Sequence, residues 1–377
     1  MKFIHLSDLH IGKTVNGFQM LDDQRDILLK IIQIIDEEKP ESVIIAGDVY
    51  DKTTPSGEAV QVFDDFLVRL AKRNLKVFII SGNHDSPERL SFGSRIMDHS
   101  GIYLSRTYDG NVEPITLEDE FGKIDVFLLP FVKPANVRQY YPDEPIKTYT
   151  DAIRVAVKNM PIDPERRNII VAHQFVAGAE TCESEEITSV GGTDAVEASV
   201  FDQFDYVALG HLHGPQDIGR KTIRYCGTPL KYSFSEAKHK KTATILEMFE
   251  KGSEIEFNYV PLKPRLDMRE IRGDYMTVTS KSFYEGTNLD DYIRIILTDE
   301  EDIKDAIRLL RSIYRNAILD YDNSRTRASS ELPERIPDKK PLEVVSDFFE
   351  SQNGRQMSKP QMDLVSELIE EIWGNKE

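Results

Sequence analysis

Five short apolar runs in this chain end on the same kinds of residue, and that repetition restricts the fold more than any other feature. Leu75 to Ile80 leads into Ser81-Gly82-Asn83-His84-Asp85, Lys2 to Leu6 into Ser7-Asp8-Leu9-His10, and Ser42 to Ala46 into Gly47-Asp48. Asn168 to Ala172 ends on His173, and Asp205 to Leu209 leads into Gly210-His211-Leu212-His213. Nearly continuous apolar runs of this length read as strands of a parallel sheet, buried on both faces. The loops beyond their carboxyl ends are where open α/β sheets place their sites. Of the eight histidines in the chain, five fall in these turns.

Helical periodicity fills the gaps between the first runs. Leu28, Ile31, Ile32 and Ile35 recur as one apolar stripe, and Val60, Phe63, Leu67 and Leu70 form another after Pro55. Strand and helix in alternation predict a parallel sheet with right-handed crossovers. A short helix is expected after Pro87, a strand over 124–129 and a helix near 148–159. From residue 168 onward strands crowd together, at 168–172, 205–209, 222–226, 242–248 and 254–260. That crowding predicts a second, strand-rich sheet packed on the first, a four-layer α/β/β/α sandwich.

At 377 residues the chain exceeds the length, about 250–300, at which single cores stop growing, so a smaller unit is expected beside the main one. The pattern breaks at Pro261-Leu262-Lys263-Pro264, which makes residues 1–264 the main domain and 265–322 a small α/β cap. Strands are expected in the cap at 274–279, 292–297 and 316–321, with a helix opened by a Thr298–Glu301 capping box. Residues 323–340 read as a polar, proline-punctuated linker. Residues 341–377 carry two short amphipathic helices, too short to be stable alone, whose apolar faces must dock on this chain or on a partner.

Gathered at the strand ends are Asp8, His10, Asp48, Asn83, His173, His211 and His213. Two divalent cations about 3.5–4 Å apart need one group that touches both and further ligands for each. Asp48 is the natural bridge, with Asp8, His10 and His213 completing one site and Asn83, His173 and His211 the other. Imidazole, carboxylate and amide oxygen together suit Mn²⁺, Fe or Zn²⁺ better than Ca²⁺ or Mg²⁺ alone. The two cysteines, Cys182 and Cys226, make no disulfide framework and read as ordinary thiols. A net charge of −18 argues against binding nucleic acid by bulk attraction, so a polyanionic substrate would need cations, local basic residues or a partner.

In that order, the patterns Asp-x-His, Gly-Asp, Gly-Asn-His-Asp, His and Gly-His-x-His resemble the calcineurin-like metallophosphoesterases across residues 1–260. The resemblance implies the sandwich fold, the ligand set above and hydrolysis of phosphate esters. It also implies that His84 binds no metal, faces the scissile phosphate and protonates the leaving oxygen. Asp51, three residues after the bridging aspartate, is then expected to orient His84. The wording of Tyr206 to His213 and of Ile223 to Pro229 is similar to the bacterial nuclease branch of the family. That likeness implies two metal ions, Mn²⁺ first among them, and exo- and endonuclease action at or near double-strand DNA ends in repair and recombination. It further implies a DNA-contacting cap, tail helices that dock on a coiled-coil ATPase of the SbcC type, and a homodimer.

Lys13, Lys52 and Arg89 are the basic residues placed to hold backbone phosphates, the last in a helix whose N-terminus could attract one. No run approaches the ~20 apolar residues of a membrane span, and the first residues lack a secretory signal, so a cytoplasmic, nucleoid-associated protein without membrane contact is expected. A small-molecule phosphodiesterase or phosphomonoesterase on the same core, and a DNA-binding scaffold with a dead site, remain as alternatives.

Overall fold

The computed structural model of the chain describes residues 1–185, 195–299, 301, 303–322, 341–353 and 355–373. It divides into two compact units, Met1–Glu270 with Asp290–Ile293, and Ile271–Leu289 with Arg294–Glu377.

Two six-stranded sheets form the first unit. In one, Lys2–Leu6, Ser42–Ala46, Lys76–Ile80 and Ile102–Leu104 run parallel, and Thr242–Glu247 and Glu256–Pro261 extend the edge antiparallel. In the other, Gly122–Leu128, Arg167–His173, Tyr206–Gly210 and Arg220–Tyr225 are parallel, with short antiparallel strands Ile115–Asp119 and Gln216–Ile218 at the edges. Period-2 alternation sorts the central strand: Val43 and Ile45 join the cluster under the helices, while Ile44 and Ala46 join the cluster between the sheets. Phe3, Phe78, Ile80, Val126, Ile169, Val171 and Ala208 complete that inner layer. Each fully buried Val, Ile or Phe of this layer stabilises the fold by roughly 1.5–3 kcal/mol.

Helices Leu21–Glu38 and Gly57–Ala71 cover the first sheet, and Pro134–Arg138 and Tyr149–Lys158 the second, giving the expected four layers. Two details differ from the sequence reading. The second helix starts at Gly57, because the Ser56 side chain accepts from Ala59 N, and its buried stripe is Ala59, Val62, Phe63, Phe66, Leu67 and Leu70. Val60 is 44% exposed. The runs 242–248 and 254–260 were expected in the second sheet; they join the first, and 122–128 joins the second. Strand pairing is a non-local choice that apolar patterning alone leaves open.

The second unit contains most of a three-stranded sheet in the order Met268–Gly273, Tyr292–Leu297, Asn316–Tyr321. The expected strand at 274–279 is a helix, Tyr275–Thr279: the Asp274 side chain accepts from Thr277 N, and this cap overrides the β-branched preference of Thr277, Val278 and Thr279. The helix expected from the Thr298–Glu301 box begins only at Ala306, behind Asp305 in a left-handed conformation and with no side-chain cap. Two further helices, Pro341–Asn353 and Lys359–Trp373, pack against each other and expose Val344, Val345, Phe348, Leu364 and Leu368. The linker expected at 323–340 lies outside the described residues. No helix among the described residues is long and apolar enough to cross a membrane.

Candidate metal centre

Five parallel strands, three from the first sheet and two from the second, turn at one rim of the sandwich. The two sheets approach closely there: a Cβ on Gly210 would lie 1.9 Å from the Ala46 carbonyl oxygen, and one on Gly82 would lie 2.1 Å from Asp48 Oδ1. Glycine is required at both for space. Asp8, His10, Asp48 and His211 all adopt positive φ, at 51°, 44°, 47° and 104°. Such backbone costs about 1–3 kcal/mol per residue and persists only where the surroundings over-determine it. Here Asp8 N donates to Gly47 O at 3.0 Å, His10 N to Asp48 O at 2.9 Å, and His211 N to Asp8 Oδ1 at 3.0 Å.

The result is a buried knot of ligand-type atoms. Asp48 stands in the middle: Oδ1 accepts from His84 N at 2.9 Å, and Oδ2 lies 3.2 Å from His173 Nε2 and 3.8 Å from His10 Nε2. On one side His10 Nε2 faces His213 Nε2 at 3.1 Å, within reach of Asp8. On the other, Asn83 Oδ1 is 3.0 Å from both His173 Nε2 and His211 Nδ1. All seven expected residues therefore come together, the other six around Asp48, with Asp8 near imidazoles of both groups.

The atoms fit a cation and do not fit one another. His173 Nδ1 donates to the Ala46 carbonyl at 2.8 Å, so Nε2 would carry a lone pair in the neutral ring. Yet Nε2 faces three oxygens among the described residues: Asn83 Oδ1, Asp48 Oδ2 and, at 4.0 Å, Asp8 Oδ1. Burial works to lower the His173 pKa, but Asp48 more than reverses this and raises it to about 9. The protein groups thus call for a positive charge at this point, which a proton or a metal ion can supply. Burial lifts Asp8 to about 6 and, with His173 beside it, drops His211 to about 3, leaving that imidazole neutral with a lone pair to give. A set of two carboxylates, four imidazoles and an amide oxygen has the chemistry of a borderline divalent metal site.

His84 sits at the mouth, half-exposed, edge-on to His10. Its Nδ1 donates to the main-chain carbonyl of Asp51 at 3.0 Å. The sequence reading assigned that orienting role to the Asp51 carboxylate, which instead accepts from Lys13 Nζ at 2.7 Å and lies 3.8 Å from His10 Nδ1. A carbonyl fixes the imidazole tautomer as a carboxylate would, without its charge. Lys13 is thereby held beside the site, over the Tyr232 ring, while Lys52 and Arg89 are exposed. The helix of Arg89 spans only Pro87–Leu90 and its first turn is closed by Ser86, so its end offers no phosphate seat.

Several supporting residues escaped the sequence reading. Asp85, buried, accepts from Val49 N, Tyr50 N and Gly82 N and ties two ligand loops together; its place in the Asn83-His84-Asp85 run was the available signal. Gln24 reaches from the first helix to donate to the His10 carbonyl at 2.7 Å and accept from Gly12 N. Ser184 and Glu236 both contact His213 Nδ1, at 2.8 and 3.2 Å. Neither lies in a motif.

Residues 1–215 match the family model for calcineurin-like phosphoesterases. Residues 264–353 match a model described as a type 5 capsule protein repressor C-terminal domain. Over 376 residues the chain is 31% identical to the SbcD component of nuclease SbcCD from Staphylococcus epidermidis, covering 98% of each. Among solved structures it is similar to a dimetal phosphatase from Danio rerio, 11% identical over 70% of this chain and 99% of that one, TM-score 0.40. A phosphoesterase from E. coli is 14% identical over 70% and 100%, TM-score 0.28. At such scores neither structure carries an inference. With more than half its length matched by the family model and nearly all of it by the staphylococcal relative, the chain belongs to the calcineurin-like phosphoesterases.

Proposed function

We propose that this protein is a metal-dependent DNA nuclease that hydrolyses phosphodiesters at or near duplex ends, as the nuclease partner of an SbcC-like coiled-coil ATPase. The observation that carries the reading is the convergence of six ligand-type side chains about a seventh, Asp48. The relative named as a nuclease component, alike along its whole length, supports DNA as the substrate. Asp8, His10 and His213 would hold one divalent ion, and Asn83, His173 and His211 the other, with Asp48 between them; Mn²⁺ is the ion we expect. Such ions, when bound, neutralise phosphate oxygens and lower the pKa of water.

The chain's own groups do the rest. Asp48 Oδ1 is committed to the His84 amide, which fixes the distance between the ligand loops and the proposed general acid. Because His84 Nδ1–H is committed to the Asp51 carbonyl, the proton given to the leaving oxygen passes through Nε2. Lys13, held by Asp51, and the exposed Lys52 and Arg89 would neutralise backbone phosphates near the mouth of a chain whose net charge is −18. Residues 265–322 would form the DNA-facing cap, and the apolar residues exposed on 341–377 the docking surface for the ATPase, across the 323–340 linker. We take the working form to be a homodimer in the cytoplasm.

The test is cleavage of linear duplex DNA in Mn²⁺, compared with covalently closed circles and with p-nitrophenyl phosphate esters. End-dependent cleavage of DNA by the wild type supports the reading. Activity confined to the small esters would replace it with a small-molecule phosphoesterase. Ending the chain at residue 335 should abolish association with the ATPase while leaving metal content unchanged.

A further inference from the structure

Behind His213, on the side away from Asp48, lies a fully buried ion pair that the proposed reaction does not use. Glu236 is 0% exposed and Lys241 6%. Lys241 Nζ spends all three protons, on the His213 carbonyl at 2.8 Å, Thr228 Oγ1 at 2.7 Å and Glu236 Oε2 at 2.5 Å. Glu236 Oε1 accepts from Ser184 Oγ at 2.5 Å and Tyr232 N at 3.2 Å and lies 3.2 Å from His213 Nδ1. A carboxylate only accepts. With the Ser184 proton directed at Glu236, His213 Nδ1 must carry the hydrogen, shared between Glu236 and Ser184 at 2.8 Å. Its Nε2 then holds the lone pair, 3.1 Å from His10 Nε2 and in the group with Asp8.

Cys182, His213 and Glu236 also lie close enough to suggest a separate metal site. The donors already gathered on Glu236 leave it no such role. A buried ion pair is costly to assemble, and replacing it with apolar residues is often neutral or stabilising, so its presence behind a ligand asks for another reason.

We propose that Glu236, locked by Lys241, is a positioning residue that holds His213 as its Nδ1–H tautomer with Nε2 aimed at the Asp8 and His10 side, and so sets the metal affinity of that half of the centre. The inference rests on the dinuclear reading above. Outer carboxylates of this kind typically change metal affinity by about 10–100-fold when removed. In Glu236→Gln the amide nitrogen would present hydrogens either to His213 Nδ1–H or to the Lys241 ammonium. One donor then opposes another, and the ring is released to rotate or exchange its proton.

The experiment titrates Mn²⁺ and Co²⁺ into the full chain, with the visible spectrum of bound Co²⁺ as a second signal. Wild type should bind two equivalents. Glu236→Gln should weaken one of them by about 10–100-fold and alter the Co²⁺ spectrum of that site alone, with Glu236→Asp recovering part of the loss. Asp119→Asn, which breaks an ion pair remote from the ligands, should change neither signal. If Glu236→Gln misfolds through its unpaired lysine, the Glu236→Gln/Lys241→Met double variant and Ser184→Ala carry the same measurement. Two equivalents bound with wild-type affinity and spectrum in the Glu236 variants would overturn the proposal, as would an equal loss in Asp119→Asn. A wild type that binds fewer than two ions would instead overturn the dinuclear reading itself.

Discussion

Strand Arg167–His173 carries a buried basic side chain at each end, and the two ends satisfy it in opposite ways. At its start, the Arg167 guanidinium bonds the Asp119 carboxylate, the Gly122 carbonyl at 2.7 Å and the Met248 carbonyl at 3.3 Å. Both terminal nitrogens meet acceptors there, and only the buried Nε is left without one. At its end, His173 Nε2 and its neighbours Asn83, Asp48 and Asp8 bring acceptor to acceptor. Arg167 and His173 are both buried, so burial and charge do not separate a structural site from a chemical one. The difference is complementarity. A cluster that closes on itself holds the fold, and one that leaves lone pairs converging on a point is built for a cation.

That contrast breaks most visibly at Asp48. Asp48→Ala removes the oxygen that stands 3.2 Å from His173 Nε2 and 3.8 Å from His10 Nε2, between the two groups of imidazoles, and we expect both metal equivalents to be lost, with cleavage abolished. Metal analysis of the purified variant checks this, and two retained ions would refute the bridge. His84 lies within reach of His10 and Asp48, yet its Nδ1 is spent on the Asp51 carbonyl. His84→Ala should keep both metals while turnover falls by about 10²–10⁴, the usual worth of a general acid, read from kcat with metal content measured alongside.

At the other end of the strand the effects should reverse. Arg167→Met leaves Asp119 without its guanidinium and should cost about 3–5 kcal/mol of stability by denaturant unfolding, with metal content and catalysis of the folded fraction unchanged. The smallest effect is a pH dependence. Burial acts to raise Asp119, but the Arg167 hydrogen bonds and the chain's amino group outweigh it and hold the carboxyl at about 2. Its folded pKa lies below the ordinary value. Its contribution is therefore fully present above about pH 4 and lost as pH falls through about 2. Arg167→Met should flatten this part of the stability curve measured on the metal-free protein.

The residues gathered at the rim were legible in the sequence because each ends or closely follows a strand, and strands buried on both faces announce themselves as apolar runs. Asp8, Asp48, Asn83, His173 and His211 needed no tertiary information to find. Which sheet 242–247 and 256–261 joined was not legible, since pairing depends on partners far along the chain. Residues 274–279 were misread because β-branched side chains outweigh a single capping aspartate in any local count. His84 Nδ1 meets Asp51 at its main-chain carbonyl, and nothing in a sequence tells whether a residue is met at its side chain or its carbonyl. Glu236 follows His213 in sequence only at a distance, in a short turn, and its partners Lys241, Ser184 and Tyr232 come from the loops around it. Outer contacts of this kind carry no spacing rule.

The most direct test of the central claim is a crystal of the wild type grown with Mn²⁺, with anomalous scattering measured at the metal edge. The account predicts two peaks about 3.5–4 Å apart, one bounded by Asp8, His10 and His213, the other by Asn83, His173 and His211, with Asp48 touching both. A single peak, or ions bound away from Asp48 while the site stays protonated on His173, would contradict it.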